Sequence, residues 1–262
     1  MSGLTARKNI IVIREGKKVA AGDDVVVEAP LTIFLNGEEL VTLLCTPEKR
    51  ESLAIGFLYS AGLLTSLDDL VSLCLQDDGK AVRVELKNGG APGGKLNGTL
   101  MGSPGCTREM ILPGALAEPD DCPAGEDALL LTAGEIHFLM SELQERAALF
   151  KTTGGVHSAA LSGGGKLLLF CEDISRHNAI DKIVGECLQR QISMDDKALL
   201  CSCRPSFGIL LKAARLRLPL LVSRAAPSTL SIEMADSLNI TLVGFVRGRR
   251  MNIYTHPRRI TG

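Results

Sequence analysis

Tryptophan is absent from these 262 residues, and aromatic side chains make up only 3% of them. Proteins that hold single-stranded nucleic acid stack its bases on aromatic rings, so a platform of that kind is excluded. An excess charge of either sign is also missing, because 29 basic and 30 acidic residues leave a net charge of −1. No general pull toward nucleic acid or an anionic membrane follows, and any basic site must be local. The longest uncharged apolar run, residues 52–67, contains Gly56, Ser60, Gly62 and Thr65. It falls short of the roughly 20 apolar residues of a spanning helix and reads as a buried helix. No apolar signal-peptide core precedes Arg14, so a cytoplasmic location is expected. The eight cysteines include no CxxC, and Cys201 and Cys203 are too close for zinc-ligand spacing, so neither a metal site nor a disulfide framework is expected.

What is present is an ordinary globular composition, 45% hydrophobic and 23% charged, in a chain long enough for one large domain or two small ones. The pattern divides at a Gly/Pro-rich middle. Residues 1–124 read as short strands around one helix, with Thr46 as its N-cap and Pro47 at its first position. This smaller α+β region carries a long loop at about residues 88–110, and loops of that length are usually functional or disordered. Residues 125–262 alternate helices and strands, beginning with a capping box at Thr132 and Glu135. Strands are expected at 166–171, 198–201, 219–222 and 240–246, with helices between them. That alternation predicts a three-layer α/β domain around a mostly parallel sheet buried on both faces.

In such a sheet, ligands bind outside the carboxyl ends of the strands. The ends of the four strands carry Arg176, Arg204, Arg224 and the run Phe245-Val246-Arg247-Gly248-Arg249-Arg250. Arginine offers a planar, permanently charged fork that fits phosphate oxygens. One such arginine reads as a surface residue, whereas four converging loops read as a site for a phosphorylated ligand. A second candidate is Cys106, which lies in the glycine-rich loop two residues before Arg108. A neighbouring guanidinium lowers a thiol pKa and raises the thiolate fraction. The residues alone leave open whether Cys106 is reactive or incidental.

The segments Thr153–Ala159, Glu172–Lys182, Ser202–Ser206, Val222–Pro227 and Gly244–Tyr254 together resemble the formate dehydrogenase accessory sulfurtransferases, the FdhD/NarQ family. The resemblance runs through most of the second half in order and is weaker in the first. It implies a sulfurtransferase that accepts sulfur from a cysteine desulfurase as a persulfide. The sulfur then passes to Mo-bis(molybdopterin guanine dinucleotide), bound as substrate, for the formate dehydrogenase apoenzyme, with no permanently bound cofactor. It further implies a cytidine-deaminase-like second half and a homodimer. On this resemblance the persulfide falls on Cys106, and cofactor binding falls on Phe245, Val246, Arg247, Gly248, Arg249 and Arg250. Many relatives carry a second cysteine in the loop where this chain has Glu109, so a single-cysteine carrier must suffice. Two rival readings remain, a non-catalytic cofactor chaperone and, remotely, a nucleobase deaminase. The latter lacks the glutamate of H-x-E after His157 and the P-C-x-x-C pair.

Overall fold

The computed structural model describes residues 3–87, 99–101, 109–111 and 129–262. A two-stranded ribbon comes first, β1 (Thr5–Arg14) and β2 (Lys17–Val26). It is followed by β3 (Ala29–Leu35), β4 (Glu38–Cys45), α1 (Arg50–Ser60), β5 (Leu70–Gln76) and β6 (Ala81–Leu86). These four strands form a sheet in the order β4-β3-β6-β5. Its buried face packs Leu31, Ile33, Val82 and Val84 against Leu53, Ala54 and Leu58 of α1. Two short strands, β7 (Thr99–Met101) and β8 (Glu109–Ile111), pair antiparallel, so part of the expected long loop is strand. Cys106 lies outside the described residues, and so does the expected boundary at 124/125.

The second half runs β9 (Leu131–Thr132), α2 (Ala133–Arg146), α3 (Ala148–Thr153), β10 (His157–Gly163), β11 (Lys166–Asp173) and α4 (Arg176–Gln189). It continues with β12 (Ala198–Cys201), α5 (Phe207–Arg215), β13 (Leu220–Ser223), α6 (Thr229–Ser237), β14 (Thr241–Arg247), β15 (Arg250–Thr255) and β16 (Ile260–Thr261). Six strands form one sheet, β11-β10-β12-β13-β14-β15. Successive residues alternate between two cores, as strand geometry requires. Leu199, Cys201, Leu221 and Leu242 face α4, α5 and α6, whereas Leu200, Leu220, Val222 and Val243 face α2. The expected three layers are there, and the capping box at Thr132 and Glu135 opens α2.

The sheet is mixed rather than mostly parallel, which corrects the sequence reading. Only β12/β13 and β13/β14 pair in parallel, while β10/β11, β10/β12 and β14/β15 are antiparallel. The reason is two hairpins without crossover helices, one turning at Gly164-Gly165 and one at Gly248-Arg249. Gly164, Gly165 and Gly248 all have positive φ (58°, 72° and 56°), the backbone that tight turns need. Because β10 runs antiparallel to both β11 and β12, strands β11, β12, β13 and β14 still point the same way. Their carboxyl ends share one rim.

The two halves join at α1 and α4, where the backbones nearly touch. A Cβ on Gly56 would lie 1.8 Å from the Asp181 carbonyl oxygen, and one on Gly185 would lie 1.9 Å from that of Ser52. Thr46 does not cap α1, contrary to the sequence reading. The helix begins at Arg50 after Lys49 in a left-handed conformation, φ 52°. The Thr46 hydroxyl is engaged elsewhere, donating to Asp173 Oδ2 (3.0 Å) and accepting from Lys182 Nζ (2.6 Å). In a free helix Gly→Ala would stabilise by up to about 1 kcal/mol. Here the close approach reverses the sign, so Gly56→Ala or Gly185→Ala is expected to destabilise by about 1–3 kcal/mol or more, read as a lower urea midpoint at unchanged slope.

Candidate functional site at the rim of the six-stranded sheet

The common rim is built from the ends of β11, β12, β13 and β14 and from the start of β10, which enters between β11 and β12. A cleft of about 530 Å³ opens there on the α2 side of the sheet. Leu143, Ala147, Phe150 and Val156 give it an apolar wall. Gln144, Lys151, His157, Ser158, Ser202 and Arg224 bring polar groups into the same space. An apolar cleft with a few convergent polar groups at a sheet's carboxyl edge is the usual form of a small-molecule site.

Backbone and side-chain bonds fix these groups. Ser158 N donates to Ser202 Oγ (2.9 Å), and Ser202 N donates back to the Ser158 carbonyl (2.9 Å), locking the start of β10 to the end of β12. Glu172 reaches across from β11 and accepts the N–H groups of Leu149 and Phe150, both at 2.9 Å. It thereby satisfies two free donors at the start of α3 and sets the position of Phe150. Burial raises the Glu172 carboxyl above its ordinary value, against the lowering effect of those bonds. Burial first, and then the nearby Arg176 and His177, push the His157 imidazole below its ordinary value, so it enters the cleft neutral at pH 7.

The arginines arrive from the ends of β12, β13 and β14 and from the start of α4. Arg224 follows β13, and its Nε is buried with no hydrogen-bond partner among the described residues. A buried donor left unsatisfied costs about 1–3 kcal/mol, which an anionic ligand would offset. Arg247 Nε donates to the Arg224 carbonyl at 3.0 Å, so the end of β14 is tied to that same loop. The Arg247 guanidinium stands 5.6 Å from the Phe245 ring centroid. Arg204, Arg249 and Arg250 are exposed. Arg176 opens α4, and its Nε donates to His177 Nε2 at 3.2 Å.

Within the run 245–250 the six residues have different surroundings. Phe245 takes a left-handed backbone, φ 55°, inside β14 at an irregularity in its pairing with β15. A bulky residue in that region is strained by roughly 1–3 kcal/mol, and such strain concentrates at ligand sites. Its N–H donates to the Ala225 carbonyl at 3.2 Å. The Val246 side chain is buried in the core on the α2 side, which leaves only its backbone near the rim. Arg247, Gly248, Arg249 and Arg250 form the hairpin tip between β14 and β15.

The sequence reading did not anticipate Gln144, Phe150, Lys151 or the Ser158–Ser202 pair. The α2–α3 junction supplies the first three, and no local motif marks them. Among the described residues no group of three or more His, Cys, Asp or Glu side chains is placed to hold a metal ion. No helix of the described chain is long and apolar enough to cross a membrane.

A family model described as "FdhD/NarQ family" matches residues 26–261. The sulfur carrier protein FdhD of Geobacillus kaustophilus is 37% identical to this chain and covers 99% of both chains. That of Bacillus pumilus is 40% identical over 95% of this chain and 94% of its own. The crystal structure of a candidate formate dehydrogenase accessory protein from Desulfotalea psychrophila superposes with a TM-score of 0.83. It is 26% identical and covers 98% of this chain and all of that one (100%). With a family match over nearly the whole chain and relatives of this similarity and coverage, the chain belongs to the FdhD/NarQ family.

Proposed function

We propose that this protein is a sulfur carrier for formate dehydrogenase maturation, working as a sulfurtransferase with a persulfide on Cys106. The observation that carries the reading is the rim, where the unpartnered Arg224 Nε, the tied Arg247 loop and the cleft meet on a scaffold shared with proteins named sulfur carriers. The Cys106 thiolate attacks the outer sulfur of a desulfurase persulfide and the donor's thiolate leaves. The outer sulfur is then transferred to Mo-bis(molybdopterin guanine dinucleotide), which is substrate here rather than a resident group: the acceptor supplies the electron pair, the S–S bond breaks and Cys106 leaves as its thiolate. Its pyrophosphates are anions of the kind the arginines accept, and a guanine ring fits the size and apolar wall of the cleft.

Three of the other cysteines support this assignment by their chemistry. Five of the six described cysteines are buried, and burial raises Cys45 and Cys171 to about 11 and Cys187 to about 12. Thiols held that high are almost wholly protonated at pH 7 and are poor nucleophiles. The reading includes a cysteine desulfurase as donor, a formate dehydrogenase apoenzyme as recipient of the matured cofactor, and a cytoplasmic setting. We also assign residues 125–262 a cytidine-deaminase-like arrangement, on the three layers and the shared strand direction of β11 to β14.

Two measurements test the halves of this proposal separately. After incubation with a desulfurase and cysteine, intact-mass analysis should show one added sulfur, which Cys106→Ala should abolish while the circular dichroism spectrum stays the same. Sulfur still carried by another cysteine in that variant would remove the assignment. Calorimetry with guanosine diphosphate should show binding that weakens with salt. Replacing both Arg247 and Arg249 by Ala should cost about 1–3 kcal/mol per lost charge-assisted contact, with Cys106→Ala almost unchanged. Unaltered affinity in the double arginine variant would place the nucleotide elsewhere.

A further inference from the structure

Two of the described cysteines stand side by side at the rim, and no step of the sulfur transfer uses them. Strand β12 ends at Cys201, and the chain bends at Ser202 and Cys203 before the loop to Ser206. Cys201 and Cys203 are 0% and 4% exposed and belong to one core, on the α4 to α6 side of the sheet. Ser202, between them, lines the cleft on the other side. The two cysteine side chains hydrogen-bond to one another, and Cys201 Sγ also lies 3.5 Å from the Cys203 carbonyl oxygen.

This contact separates the pair from the other buried thiols. The bond from the Cys203 thiol holds Cys201 below its ordinary value, against the opposing effect of burial. The same bond, and then burial, push Cys203 well above its own. One sulfur is thereby prepared as a nucleophile while its neighbour keeps the proton. Oxidation of Cys201 removes the first cause that raises Cys203 and lets it react in turn.

The backbone of the same tripeptide supports the rim. The Cys201 carbonyl accepts from Arg224 N at 3.3 Å, and the Cys203 carbonyl accepts from Ser223 Oγ at 2.6 Å. That hydroxyl accepts in turn from Ala225 N at 3.0 Å. Both cysteine carbonyls therefore hold the loop that presents Arg224. Same-face residues of a strand lie about 6.6–6.8 Å apart along it. A disulfide prefers Cα atoms about 5.5–6 Å apart and Cβ atoms about 3.8 Å apart. Closing this pair must bend the Ser202 peptide further and swing those carbonyls away from the loop.

We propose that Cys201 and Cys203 are a redox-sensitive modification site, at which a peroxide closes an internal disulfide and releases the Arg224 loop. The Cys201 thiolate attacks one peroxide oxygen, the O–O bond breaks, hydroxide leaves and Cys201 becomes a sulfenic acid. Cys203 gives its proton to that hydroxide and attacks the Cys201 sulfur, and the S–O bond breaks with loss of a second hydroxide. Counted from two thiols, the pair loses two electrons and two protons, and the peroxide is reduced to two waters. The switch stands independently of the sulfur-carrier reading.

Trypsin releases both cysteines in one peptide, residues 198–212, because Pro205 blocks cleavage after Arg204. The full chain is treated with hydrogen peroxide, unfolded, alkylated and digested. Peptide 198–212 should then be unalkylated and two hydrogens lighter than the dithiol, and dithiothreitol should reverse the change. Neither Cys201→Ser nor Cys203→Ser should form that bond. In the unaltered protein, hydrogen exchange followed by NMR should show the Arg224 amide exchanging about tenfold faster or more after oxidation. Amides of the β4-β3-β6-β5 sheet should keep their protection, which separates local release from unfolding. A doubly alkylated peptide after peroxide, a bond from either cysteine to a different one, or a sulfinic acid at Cys201 without a bond would each remove the site. An Arg224 amide that exchanges unchanged in the closed form would remove its link to the rim.

Discussion

The carboxylate of Asp173 holds the two halves of this protein together. It is wholly buried at the end of β11 and carries five bonds. Oδ2 accepts from the backbone N–H and hydroxyl of Thr46 and pairs with Lys182 Nζ at 2.6 Å. Oδ1 accepts from Ser175 N and Asn178 Nδ2, both at 3.0 Å. A buried ion pair is favourable only when its remaining hydrogen-bonding capacity is also met, and here it is. Asn178 donates in addition to the Leu44 carbonyl, and Lys182 to that of Thr46, so the end of β4 is fixed against the start of α4. Removing one partner would strand the other charge in the core, a loss of about 3–5 kcal/mol in comparable cases.

This bond network works together with the glycine contact between α1 and α4. Gly56 and Gly185 let the backbones approach, and the polar residues flanking them then reach across. Ser60 Oγ donates to Asp181 Oδ1 at 2.6 Å, and Lys212 of α5 completes that carboxylate at 2.6 and 2.7 Å. Lys49 spans the other end, donating to the Phe170 carbonyl and pairing with Glu186 at 3.1 Å. The result is a rigid base beneath the rim. A site that collects groups from five segments of chain needs such a base, because small displacements of its loops would separate the groups again.

The rim gathers positive charge while the chain as a whole stays near neutral. Its apolar wall comes mainly from α2 and α3, and its arginines come from the strand ends. Glu172 connects the two, since it belongs to β11 but holds the start of α3. The left-handed backbone of Phe245 serves the same juncture, because it lets β14 bend toward Ala225 before the arginine hairpin.

Much of this was legible in the chain. Apolar period fixed α2, α4, α5 and α6 and the inner strands β12, β13 and β14 closely, since buried elements must keep one or two faces apolar along their whole length. The arginine-bearing ends were legible because strand direction follows from alternation with helices. The hairpin strands β10 and β15 were not, because Ser158-Ala159-Ala160 and Met251-Asn252-Ile253 lack an apolar pattern that local reading can assign. The Thr46 cap was misplaced for a different reason: its hydroxyl answers to Asp173 and Lys182, more than 120 residues away. The sequence by itself thus determined the amphipathic helices and the inner strands of the large sheet, and that arginines lie at strand ends. Only the tertiary structure decided that the sheet is mixed, that two glycines weld the halves, and that Phe150, Gln144 and Lys151 share a cleft with Arg224. Those outcomes depend on contacts between residues far apart in the chain, and no local periodicity encodes them.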